Sequence, residues 1–217
     1  MRQSIKDFAV IVSKTLPIIE PIYEFGSFQV PEQIGFADLR PIFQNKKYVG
    51  CDMREGPGVD KILNLHAIDL PSDSVGTVLC FDTLEHVEYP REGMQEIYRI
   101  LKPNGMAVIS SVMDFSIHDH PYDYWRFTPE AFKSILKPFA NSFVGFQGQE
   151  SFPHTVVGIG FKGATPSLTE FTEEYDKWQK ADRKLLRQIV HRLTPPIFIP
   201  IIARLYRDVT RLTKRST

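Results

Sequence analysis

Carboxylates and imidazoles gather just behind a series of short apolar runs in this chain. Glu24 and Gly26-Ser27 follow one run; Asp52 closes the next; Asn64 and His66 follow a third. Asp82, Glu85 and His86 come after a fourth run, and Asp114, His118, Asp119 and His120 after a fifth, while His154 precedes the last. An acid at a strand end can accept both hydroxyls of a ribose, and a glycine at a strand–helix turn lets backbone approach a ligand closely. An imidazole near its neutral pKa can take the proton of a hydroxyl nucleophile. His86 is the first choice for that work and His118 or His120 the second. Asp82, Glu85 and His86, with a later histidine at 118 or 120, offer mixed oxygen and nitrogen ligands that suit a divalent metal. Ordinary roles stand beside each of these: a solvated strand-end Asp52, a turn glycine at 26, a His86 that caps the following helix.

The elements that must position these groups are legible as periodic patterns. Residues 3–14 carry Ile5, Phe8, Ala9 and Val12 at helical spacing. Strands are expected at 22–25, 48–52, 61–65, 75–81, 106–112, 142–146 and 155–161, and helices at 33–43 (weakly marked), 91–101 and 170–193. Lys102-Pro103-Asn104-Gly105 reads as a helix stop followed by a turn, and Thr128-Pro129-Glu130 as a capped helix start. Strands alternating with helices imply parallel crossovers in a doubly wound α/β sheet; the last two strands form an antiparallel edge. In such sheets ligands bind outside the carboxyl ends of the strands. Five of the six histidines fall on segments expected at or near one edge of the sheet, which points to a cleft there.

At 217 residues with zero formal net charge, nothing in the whole-molecule balance points to nucleic acid. The charge is uneven: nine Lys/Arg face only Asp208 between residues 183 and 217, which leaves the rest acidic. Cys51 and Cys80 sit in apolar runs and are expected to be reduced core thiols. No signal-peptide core or membrane-spanning apolar stretch is visible, so a cytoplasmic setting is expected. Residues 195–217 join an apolar patch to Arg204, Arg207, Arg211, Lys214 and Arg215. That segment suits either an anionic membrane surface or packing on its own domain or a second subunit of a homodimer.

The stretch Phe81-Asp82-Thr83-Leu84-Glu85-His86-Val87, followed by Ile100-Leu101-Lys102-Pro103-Asn104-Gly105, resembles the class I S-adenosylmethionine-dependent methyltransferases of the common Leu-Glu-His-Val type. Tyr48–Asp52, Asp69-Leu70-Pro71 and residues 121–130 share the resemblance, which spans roughly residues 22–161. It implies a Rossmann-like, mostly parallel seven-stranded sheet with N- and C-terminal helices: a methyltransferase domain over 1–165 and a helical basic extension over 166–217. It also implies S-adenosylmethionine as cofactor. Glu24 and Gly26 would lie near its methionine portion, Asp52 on its ribose and Met53 against its adenine; His66 would lie at the adenine edge, and Phe81 and Asp82 on the sulfonium side. Phe28 stands where the family's second glycine belongs, and His66 where an acid is usual. These departures leave two outcomes, a reshaped cofactor pocket or a binding module that has lost the cofactor. The acceptor implied is the hydroxyl of a small molecule or a glycan, lipid-linked if the basic tail meets a membrane. Glu-His-Val also occurs in family members that use no metal.

Overall fold

The computed structural model describes residues 1–118 and 121–193, with side chains in the last helix described only through residue 181. Seven strands form one sheet: β1 (Ile22–Phe25), β2 (Tyr48–Asp52), β3 (Lys61–Ile62), β4 (Val75–Cys80), β5 (Leu101–Val112), β6 (Asn141–Gln149) and β7 (Phe152–Phe161). Their order is β3-β2-β1-β4-β5-β7-β6, and β7 alone runs antiparallel, against both β5 and β6. The helices are α1 (Gln3–Thr15), α2 (Pro90–Ile100), α3 (Pro129–Ile135) and α4 (Thr169–Leu193). The doubly wound sheet with an antiparallel edge is therefore as expected, and β1 and β2 have the expected bounds.

The sheet is buried on both faces. Met94, Ile97 and Ile100 of α2 and Phe132 and Ile135 of α3 cover one face. Ile5, Phe8 and Val12 of α1 pack on the other with Phe171, Tyr175 and Trp178 of α4. β4 lies between them with all six residues buried, which explains its unbroken apolar run. α3 begins as its residues dictate: the Thr128 hydroxyl accepts from the Ala131 N–H at 3.1 Å, with Pro129 in the first helical position. The first compact unit of the chain is Met1–Trp178, so it includes the start of α4; Gln179 begins the second.

Three expectations need correction. Residues 33–43 form no α-helix but two short 3-10 turns, Pro31–Gln33 and Arg40–Phe43. Pro41 and a left-handed Gly35 (φ 78°) interrupt the helical hydrogen bonding that the segment would need. β3 stops at Ile62 rather than 65, because Asn64 turns the chain into a bridge with Ala67. β5 begins at Leu101, five residues early: the 102–105 turn is absorbed as an irregularity in the ladder with β4, with Asn104 left-handed at φ 64°. The crossovers from β1 to β4 thus contain loops and short turns in place of α-helices.

Candidate active site

The sheet order reverses between β1 and β4, whose carboxyl ends open on a cavity of about 920 Å³. This is the switch point at which such sheets hold ligands. Glu24, Gly26, Asp52, Met53, His66, Phe81, Asp82, His86 and His118 all line it. The described residues expected to bind the cofactor or to act as the base are therefore brought together here, whereas Asp114 does not line the cavity. His120 lies outside the described residues. His154 does not line the cavity; its Nδ1 pairs with the Thr155 hydroxyl at 2.8 Å.

At the β1 end, Gly26 takes φ 85°, and a Cβ there would lie 2.0 Å from the Thr83 hydroxyl. Only glycine allows β1 to turn this close to the β4 loop. Glu24 is buried, and its carboxylate accepts from the Tyr48 hydroxyl at 2.7 Å. Burial raises its pKa to about 7, against the smaller lowering by that hydrogen bond. The adjacent Ser27 Oγ is buried without a hydrogen-bond partner. At the β2 end, Asp52 Oδ1 accepts from the Arg54 N–H at 3.0 Å and Oδ2 from the Phe28 N–H at 3.4 Å. The Arg54 Nε–H also reaches Oδ1, at 3.4 Å, so the carboxylate is fixed in orientation and Oδ2 is the oxygen that keeps a lone pair for a further donor. Met53 beside it is 64% exposed, an apolar ledge over the opening.

At the β4 end, Asp82 adopts φ 45°, an uncommon conformation for a residue with a Cβ. Its N–H donates to Ser110 O and Oγ, and the Ser110 hydroxyl donates to Oδ1 at 2.9 Å. Arg2 then grips both carboxylate oxygens, Nη2 to Oδ1 at 2.9 Å and Nε to Oδ2 at 3.3 Å. Arg2 also donates to Thr155 Oγ1 and stands over the Phe115 ring. Nothing near Arg2 in the sequence marks it for this site.

Glu85 is completely buried. Oε2 accepts from the Ser111 hydroxyl at 2.6 Å, while Oε1 has no hydrogen-bond partner. Desolvation, helped by the charge of Asp82, raises its pKa to about 8. The His86 and His118 rings meet edge to face, with centroids 4.8 Å apart. The Nδ1 of His86 faces Tyr122 O at 2.8 Å; that of His118 faces Ser116 O at 3.1 Å and Asp123 Oδ2 at 3.3 Å. Those partners only accept, so each Nδ1 carries a proton, and in the neutral ring each Nε2 offers a lone pair.

Asp123 and Arg126, within the 121–130 stretch but given no role by the sequence, organise this loop. Arg126 donates to both oxygens of Asp123 and to the carbonyls of Phe115, Ser116 and Trp125. Those donors, with the His118 N–H, hold the Asp123 carboxyl well below the usual range. The aromatic cluster that follows divides by role. Tyr122 and Tyr124 line the cavity, Phe127 is buried against Phe132, and the Trp125 indole donates to Val87 O and Glu88 O.

Residues 44–109, from just before β2 into β5, match the model of a family described as a methyltransferase domain. Among solved structures, a methyltransferase of Archaeoglobus fulgidus described as S-adenosylmethionine-dependent is 16% identical, with a TM-score of 0.55 over 75% of this chain and 95% of that one. One from Thermotoga maritima, likewise described, is 18% identical, with a TM-score of 0.53 over 73% and 89%. No curated protein sequence matches the chain. The chain has the class I methyltransferase fold.

Within that fold, two side chains shape the cavity. The Phe28 ring occupies the space where a Cβ on Gly56 would fall and stacks on the Arg54 guanidinium, whose carbon lies 4.4 Å from the ring centroid. It forms a wall of the cavity and does not close it. The Nε2 of His66 accepts from the Tyr89 N–H at 3.2 Å. That leaves Nδ1–H outward, so this position offers a donor where an acid would offer an acceptor.

Proposed function

We propose that the chain is an S-adenosylmethionine-dependent O-methyltransferase whose acceptor is the hydroxyl of a small molecule or glycan. The observation that carries this reading is the cavity itself, with Asp52 on one wall and the paired imidazoles of His86 and His118 on another. The residues present fit the cofactor. Asp52 Oδ2 keeps a lone pair for a ribose hydroxyl, Gly26 opens the backbone turn, and Glu24 with the orphaned Ser27 hydroxyl offers polar partners for an amino-acid end. Met53 supports the adenine, and the Nδ1–H of His66 donates to a ring nitrogen at its edge. Phe81 and the Arg2–Asp82 pair bound the sulfonium side.

The bound cofactor supplies an already activated methyl group, so the protein's contribution is alignment, water exclusion and removal of the acceptor's proton. Tyr122, Tyr124 and Phe115 form the acceptor wall. The two imidazoles are the groups placed to promote loss of the hydroxyl proton, a contribution of about 10²–10⁴-fold in rate. The acidity of residues 1–182 speaks against a nucleic-acid acceptor. The basic segment at 195–217 lies outside the described residues; its sequence supports a contact with anionic membrane and hence a lipid-linked acceptor. Among the described residues no helix is long and apolar enough to cross a membrane.

Phe28 favours one rival, a binding module that has kept the fold without the cofactor. Calorimetry with S-adenosylmethionine and with its demethylated product separates the two. The enzyme reading expects both to bind and Asp52→Ala to weaken them by about 10–100-fold, the worth of one or two charge-assisted hydrogen bonds. No binding of either to the unaltered chain refutes it.

A further inference from the structure

A carboxylate oxygen of Glu85 and one ring nitrogen each of His86 and His118 lie within 4.8 Å of one another. The chemistry of this cluster is one-sided. Both histidines spend their Nδ1–H on acceptors, the carbonyls of Tyr122 and Ser116 with Asp123 behind the latter. Their remaining nitrogens are lone pairs, and Glu85 Oε1 is a fully buried oxygen with no partner. A buried polar atom left unsatisfied costs about 1–3 kcal/mol, and Glu85 Oε1 is such an atom, set beside two partly exposed imidazoles that a cation could join to it.

We propose that Glu85, His86 and His118 form a binding site for a divalent transition-metal ion. Two imidazoles and one carboxylate select a zinc-class ion over magnesium or calcium, which favour all-oxygen shells. Bonds of about 2.0–2.2 Å place donor atoms roughly 3–3.5 Å apart, so the side chains close in by about an ångström when the ion enters. The surroundings are those of a metal site. A ligating histidine usually gives its other N–H to a carbonyl or carboxylate, as both do here, and the Ser111 hydroxyl on Oε2 orients the carboxylate. Asp82 is not a ligand, because Arg2 and Ser110 already occupy its oxygens.

Three protein ligands leave coordination positions facing the cavity. Resting on the methyl-transfer reading, the ion's role is to bind the acceptor hydroxyl and lower its pKa. The proton leaves to water. An electron pair of the oxygen then forms the bond to the methyl carbon, and the pair of the carbon–sulfur bond stays on sulfur. No redox change occurs.

The test is a cobalt(II) titration of the full chain after chelator treatment, followed by visible absorption and displaced with zinc. The expected result is uptake of one cobalt per chain, weakened at least 100-fold by His86→Gln and by His118→Gln while S-adenosylmethionine still binds. Asp123→Asn, which loosens the hold on His118 along with the Arg126 pairing of the loop while leaving all three ligands in place, should weaken uptake about 10–100-fold. Should either histidine variant unfold, the cobalt-loaded unaltered chain decides: two paramagnetically shifted imidazole N–H resonances uphold the site, and none overturns it. No stoichiometric uptake, or uptake undiminished in both histidine variants, also overturns it. Cobalt uptake is read without cofactor or acceptor, so its failure is distinguishable from failure of the methyl-transfer reading.

Discussion

Glu24 holds a proton near neutrality because its carboxyl is buried with a single hydroxyl partner. A cofactor amino group placed against it needs the carboxylate. Affinity for S-adenosylmethionine is therefore expected to rise about tenfold per pH unit up to about 7 and then level off, with Glu24→Gln flattening the profile; calorimetry at several pH values reads this directly. The sign for stability is the opposite. The folded pKa lies above the unfolded value, so this group's contribution is full below about pH 4.5 and is lost as pH rises through about 7. At this scale the sequence was informative where a polar residue directly follows a buried strand, as at Glu24, Asp52 and Asp82. It was silent on Arg2, Asp123 and Arg126. Their partners are set by loop geometry or lie far along the chain, 80 residues away for Arg2 and Asp82, and no local pattern encodes such pairings.

Among the elements, α1 links the core to the site. Phe8 is fully buried against Phe81, Phe171 and Trp178, and Phe81 in turn lines the cavity. Phe8→Ala is expected to cost about 3–5 kcal/mol in a chemical denaturation experiment, the range for a large buried aromatic. Loosening of Phe81 should also weaken cofactor binding, more than an equally destabilising change in α3 would. Strand positions were readable because a buried parallel strand is a continuous apolar run between polar residues, as Val75–Cys80 shows. The missing helix at 33–43 was harder to foresee. Its apolar residues, Ile34, Phe36, Leu39 and Phe43, are spaced compatibly with a helix, yet Ile34 and Phe36 are exposed and only Leu39 and Phe43 reach the core. Pro31, Gly35 and Pro41 outweighed the periodicity.

For the molecule as a whole, the acidic remainder and the basic stretch from 183 onward divide the charge so sharply that the two ends should respond differently to an anionic surface. The full chain is expected to co-sediment with vesicles containing anionic lipid, and a chain ending at residue 194 to remain in the supernatant. Equal partitioning would remove the case for a lipid-linked acceptor.

Loops and short turns carry the chain from β1 through β4, whereas helices back the other half of the sheet. Few helical hydrogen bonds protect residues 26–74, and much of that segment is exposed. Such a segment tightens around what it holds: deuterium uptake there should slow markedly once cofactor is added, while α2 and β5 barely change. Affinity would then carry an ordering penalty, visible as an unfavourable entropy of association, and a variant that stiffens this stretch would bind more tightly without gaining a single new contact.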